Sequence, residues 1–88
     1  MQETTNIHIE IVHRFFAAIH KLIDKGLLKN NVTFCRELNI DPSNFVKQEK
    51  DPSRNIITLV WIRHLIVNYN VSPMWIFNGE GSILISEK

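Results

Sequence analysis

This 88-residue chain has little sulfur, little glycine or proline, and almost no charge imbalance. Its single cysteine, Cys35, has no partner for an internal disulfide, which fits a reducing compartment such as the cytoplasm. Apolar runs such as Ile56-Ile57 and Leu59 to Ile62 fall far short of a membrane span, so no membrane association is expected. The N-terminus has no basic segment followed by an apolar one, so no secretory signal is read. Ten basic residues against nine acidic ones leave a net charge of +1. That balance excludes a strongly cationic nucleic-acid coat but leaves room for a small basic patch on one face. No internal repeat or low-complexity tract occurs. Apolar residues make up 44% and charged residues 22%, the composition of one globular domain with a modest core.

The three prolines and three glycines lie outside the periodic apolar stretches and divide the chain into short helices. A first helix is predicted over about 7–25. Val12, Phe15, Phe16, Ile19, Leu22 and Ile23 recur there at three- and four-residue steps, Glu10 and Arg14 form an i,i+4 pair, and Gly26 supplies a stop. Ile7, Ile9 and Ile11 alternate with polar residues, a pattern that a short strand ahead of the helix would also produce. A second helix, capped by Asn30 or Asn31, runs through Leu38. In Asn39-Ile40-Asp41-Pro42, asparagine tolerates a left-handed turn, aspartate caps, and proline suits a first helical position. A third helix therefore runs from Pro42 to about Lys50, followed by a loop over 51–55. Ile57, Leu59, Val60, Ile62, Leu65 and Ile66 define a fourth helix ending near Tyr69-Asn70. Ser72 caps a short fifth one, which Pro73 opens and Asn78-Gly79 stops. Residues 82–85 alternate weakly and could be extended. The expected class is all-α, with five helices.

The second and third helices, joined by a three-residue turn, have helix-turn-helix spacing. Phe34, Cys35, Leu38, Ile40 and Phe45 fit its inner positions, with Cys35 the small residue at the helix approach. Ser43, Asn44 and Lys47 are left projecting from the N-terminal half of the third helix, where such a helix meets base edges in a major groove. Its N-terminal N–H groups could also meet phosphate.

From Asn30 to Gly81 the chain resembles the lambda-repressor-like helix-turn-helix domains of phage repressors and related bacterial regulators. The run Phe34-Cys35-Arg36-Glu37-Leu38-Asn39-Ile40-Asp41 is similar to that family's aromatic-or-Leu, small, x, x, Leu, Gly, Val, Ser/Thr segment. Val71-Ser72-Pro73-Met74-Trp75-Ile76-Phe77-Asn78-Gly79 is similar to its closing V-S-x-x-W-L-L-x-G helix. Continued through Glu80-Gly81, it resembles short phage-repressor-type regulators common in Bacteroidetes. Arg14-Phe15-Phe16 and Lys25-Gly26-Leu27 fit their first helix.

The resemblance implies a DNA-binding domain over 1–81 and a short tail over 82–88 that is a candidate for dimerisation. Double-stranded DNA is the implied partner, bound by a homodimer that regulates transcription without a cofactor. Bases would be read by Ser43, Asn44 and Lys47, and phosphates met by Asn31, Thr33, Lys50, Ser53 and Arg54. Ile76, Ile83, Leu84 and Ile85 are dimer candidates, with simple core burial the competing reading. Two positions depart from the family pattern. Asn39 replaces a glycine, and Pro42 stands where glutamine is common and offers no side-chain hydrogen bond.

Other readings compete. Lys47, Lys50 and Arg54 taken alone describe an ordinary solvated face, weakened further by Asp41, Glu49 and Asp51. Near-zero charge and Pro42 suit a protein-interaction or antitoxin-like adaptor whose apolar tail binds a partner. Trp75 reads as core packing, whereas Trp61 reads as partly exposed on the fourth helix and open to a partner. The four histidines do not read as a metal site: His13 and His20 lie about 10 Å apart along a helix, and His8 and His64 lack partners at ligand spacing. Cys35 reads as structural, and no catalytic constellation or phosphate-binding loop emerges, so no enzyme is expected.

Overall fold

The structure, a computed structural model, describes the backbone of residues 2–85 and the side chains of residues 6–85. Five helices follow one another: α1 (Gln2–Asp24), α2 (Asn31–Leu38), α3 (Pro42–Lys50), α4 (Leu59–Tyr69) and α5 (Pro73–Asn78). No strand occurs among the described residues; an isolated antiparallel bridge joins Val71 to Leu84. The all-α expectation therefore stands. The strand alternative for Ile7, Ile9 and Ile11 does not, because α1 runs unbroken through them. Their alternation marks the edge of a helical stripe.

The helix ends follow local chemistry. Asn30, not Asn31, caps α2: its Oδ1 accepts the Thr33 N–H over 2.9 Å. The turn into α3 places Asn39 in the left-handed region (φ 58°, ψ 43°), where its N–H reaches back to the Arg36 carbonyl. Asp41 caps α3 and Pro42 occupies its first turn. Asn70 closes α4 with a second left-handed backbone, φ 63°. Gly79 closes α5 at φ 74°, and a Cβ there would lie 3.1 Å from the Arg14 guanidinium. That closeness has a function. Arg14 donates from Nη1 to the Ile76 and Phe77 carbonyls and from Nη2 to Glu10 over 3.3 Å, so it satisfies the end of α5 while holding it on α1.

The core is an aromatic cluster. Phe15 of α1 lies with its ring centroid 5.0 Å from Phe16, 5.7 Å from Phe34, 6.2 Å from Phe45 and 6.1 Å from Trp61. One ring thus meets rings from α1, α2, α3 and α4, largely in the edge-on geometries aromatic quadrupoles favour. Trp61 is only 6% exposed, which corrects the reading of it as open to a partner. It faces Phe45 at 5.6 Å as part of this cluster. Ile62 and Leu65, one and four residues further along α4, are buried beside it.

The segment after α5 folds back onto the body. The Ser72 N–H donates to Ile83 over 2.7 Å and the Ile85 N–H to Asn70 over 2.9 Å, so Leu84 is delivered into the core at 3% exposure. Residues 82–85 are thus integral to the domain and do not form a separate tail. The remainder of the 82–88 segment, 86–88, lies outside the described residues.

Candidate nucleic-acid interface

α3 holds as a nine-residue helix because the Asp41 side chain caps its start, the Asp51 N–H closes its end on the Lys47 carbonyl, and its inner face is anchored by two buried residues, Phe45 and Gln48. A step of about 100° per residue then places Ser43, Val46, Lys47 and Lys50 on the outer stripe opposite that anchor, all exposed. Asn44 is also exposed, but lies about 100° round from Ser43 on the flank of the stripe. Of the three residues expected to read bases, the fold brings Ser43 and Lys47 together and offsets Asn44. Lys50, expected at phosphate, is the last residue of the helix and shares the stripe.

The N-terminal end of α3 is not an open anion site. Asp41 Oδ1 accepts the Ser43 N–H over 3.0 Å and the Ser43 hydroxyl over 2.9 Å. Those two hydrogen bonds, with a smaller contribution from Lys47, hold the Asp41 carboxyl below its ordinary value and keep a negative charge on the cap. The free N–H groups expected to receive phosphate are therefore partly taken, and Ser43 is committed as a donor. Its hydroxyl keeps acceptor capacity only. The start of the helix is thus acidic, and its outer stripe carries Lys47 and Lys50, with Glu49 and Asp51 nearby.

The residues expected at phosphates divide in the same way. Thr33 gives its hydroxyl to Asn30 over 3.0 Å, and Ser53 gives its own to Asp51 over 2.7 Å. Arg54 pairs with Asp51 at 3.6 Å. Asp51 is held below its ordinary value by the two Ser53 hydrogen bonds and, less strongly, by Arg54. Asn31 is half-buried, and its Oδ1 is enclosed without a hydrogen-bond partner. Lys50 alone of this group extends an uncommitted ammonium from the surface. For the dimer candidates, Ile76 and Leu84 are core residues, a correction that follows from α5 and the returning segment closing over α1. Ile83 is half-buried against the core, and Ile85, 53% exposed, is the one left at the surface.

Gln48 was not anticipated. It is fully buried, accepts the Ile56 and Ile57 N–H groups on Oε1 at 2.8 and 2.7 Å, and donates from Nε2 to the Asp51 carbonyl at 3.2 Å. One amide thereby fixes both ends of the loop that carries Ser53 and Arg54. The available signal was positional: Gln48 stands three residues after Phe45, on the same helical face.

Three histidines tie elements together. His8 donates to the Arg54 carbonyl over 2.8 Å and His20 to Glu49 over 2.8 Å, so α1 braces α3 and the loop after it. His64 lies between α2 and α4: its Nε2 donates to Glu37 over 2.8 Å while its Nδ1 accepts from Asn68 over 2.9 Å. Tyr69 donates to the same Glu37 carboxylate at 2.8 Å. Burial pushes Glu37 upward, but the hydrogen bonds from His64 and Tyr69 outweigh it and leave the carboxyl below its ordinary range. Burial, then Glu37, pushes the Tyr69 phenol up to about 12. No group of three or more metal-ligating side chains occurs among the described residues. Burial, with Asp41 nearby, raises the Cys35 thiol, so it stays protonated at neutral pH. None of the described helices is long and apolar enough to cross a membrane.

Comparison with models of known protein families, with curated proteins and with solved structures finds no match. The functional reading therefore rests on the residues of α2, α3 and the loop that follows.

Proposed function

We propose that this chain is a sequence-specific DNA-binding transcriptional regulator of the phage-repressor type, built on a lambda-repressor-like helix-turn-helix. In this reading α3 enters the major groove and α2 packs behind it. The observation that carries the reading is the outer stripe of α3, where Lys47 and Lys50 stand exposed beside Ser43 on a helix braced from within by Phe45 and Gln48. A rigid, exposed, partly basic helix preceded by a short capped helix is the geometry that positions side chains on base edges. Lys47 suits guanine O6 and N7, and Asn44 suits adenine from the flank. Lys50 and Arg54 supply phosphate contacts that set register, with Arg54 exchanging Asp51 for a phosphate. The protein acts in the cytoplasm as a homodimer on half-sites about one helical turn apart, and represses by occluding a promoter. Of the dimer candidates, Ile85 with the outer edge of Ile83 remains available for self-association.

Selection from random duplexes tests this. A motif is enriched, retention falls steeply with salt, and Asn44→Ala with Lys47→Ala abolishes the enrichment. No enriched motif, together with unchanged retention by that double variant, removes the proposal.

A second reading, a protein-interaction adaptor on the same helices, is favoured by one observation. His8, Ile11, Leu59, Ile62 and Phe77 line an apolar cleft of about 240 Å³ on the α1–α4–α5 side, and Leu59 at its rim is 75% exposed. Salt-independent behaviour on DNA, with a stoichiometric protein complex lost in Leu59→Asp, would favour it over the first.

A further inference from the structure

The outer stripe of α3 contains one apolar side chain. Val46 sits between Ser43 and Lys50 with 41% of its surface exposed, while Phe45 and Gln48 take the inward positions. Pro42, one turn earlier, is exposed beside it and adds a second apolar surface at the start of the helix. Val32, Val60 and Val67 are also exposed on their helices, but Val46 is the valine that shares a stripe with Lys47 and Lys50. Lys47 and Lys50 adjoin Val46 on the stripe, while Asp41 caps the helix and Glu49 lies off the stripe, so a surface that complements the stripe itself is anionic around an apolar spot. In the major groove of duplex DNA, the phosphates form the anionic walls and the thymine C5-methyl is the one apolar group on the floor.

We propose that Val46 is a specificity-determining residue that reads thymine, its two methyl groups packing on a thymine C5-methyl while Lys47 and Lys50 meet the adjoining polar edges and phosphates. This rests on the DNA-binding reading above and adds to it a preferred base and the residue responsible. With Ser43 committed to Asp41 and Pro42 without a donor, discrimination by shape and apolar contact fills a role that hydrogen bonding at the start of α3 leaves open.

The test uses the full chain and the duplex it selects from a random pool. Each thymine is replaced in turn by deoxyuridine, which deletes only the C5-methyl. The wild type is expected to lose about fourfold in affinity at one or two thymines, the ratio associated with one buried methyl-sized group. Val46→Ala, placed at an exposed site where alanine favours the helix, should bind thymine and uracil duplexes equally, at the level of the wild type on uracil. Equal wild-type affinity for every uracil-substituted duplex overturns the assignment while leaving DNA binding intact. So does full thymine preference in Val46→Ala. Failure to enrich any duplex overturns both the assignment and the DNA-binding reading.

Discussion

The Ser43 hydroxyl donates to the Asp41 carboxylate over 2.9 Å, and the Ser43 N–H donates to the same oxygen over 3.0 Å. The residue that starts α3 therefore also places a negative charge at the end of the helix nearest the proposed base contacts. Stability and DNA affinity pull in opposite directions at this position, because capping favours a side-chain acceptor and phosphate disfavours an anion.

Asp41→Asn separates the two. Asparagine caps as well as aspartate, so urea unfolding should move by less than about 0.5 kcal/mol. Removing the charge should raise duplex affinity about threefold, the scale of an exposed charge interaction. Asp41→Ala should instead lose about 1 kcal/mol of stability with the cap. Equal affinity for wild type and Asp41→Asn would show that the cap does not face DNA.

Gln48→Ala removes the partner of the part-buried Ile56 and Ile57 N–H groups and of the Asp51 carbonyl. A loss of about 2–4 kcal/mol is expected from unsatisfied donors and the void. Amide exchange should accelerate first at Ile56 and Ile57, before α4 loosens. A loss confined to global unfolding, with those amides unchanged relative to their neighbours, would assign Gln48 a packing role only.

The chain has one tyrosine, so phenolate absorbance reports Tyr69 alone. Its midpoint should lie near 12 and fall only part of the way toward 10 in Glu37→Gln, because burial, the larger cause, remains. The phenol's folded value is raised, so its contribution to stability is full below pH 10 and is lost as pH rises toward 12. Glu37 has the opposite sign: its folded value is lowered, so its contribution is present above pH 4.5 and is lost as pH falls through the folded value. Denaturation midpoints of wild type and Glu37→Gln should therefore converge at both extremes.

Asn39 holds φ 58° between α2 and α3. Glycine there should be tolerated with little change in thermal midpoint, whereas Asn39→Val should cost about 1–2 kcal/mol, because a β-branched side chain clashes in the left-handed region. Equal midpoints for the two variants would mean the turn relaxes to another backbone conformation.

Helix positions were legible in advance because their determinants act within a few residues. Asn30 reaches Thr33, Asp41 reaches Ser43 and Ser72 reaches Trp75. The commitment of Ser43 was legible for the same reason, since its partner stands two residues away. Burial was not. Trp61 and Leu59 lie on one short apolar segment, yet one enters the aromatic cluster at 6% exposure and the other stays outside at 75%. Gln48 and Lys47 are adjacent and polar, yet only Gln48 finds donors, eight and nine residues away, that make a buried amide tolerable. By itself, the sequence determined where α2, α3 and α5 begin, where the helices end and which polar residues lie on α3, since capping, turn conformation and helical periodicity are local. The starts of α1, at Gln2, and of α4, at Leu59 without a side-chain cap, were not marked in this way. Only the tertiary structure decided which apolar residues became core, that Ile76 and Leu84 are spent inside the fold, and that Val46 is left facing out. Those outcomes depend on how α1, α4, α5 and the returning segment close around one another, and contacts across that much chain leave no periodic trace in the residues that make them.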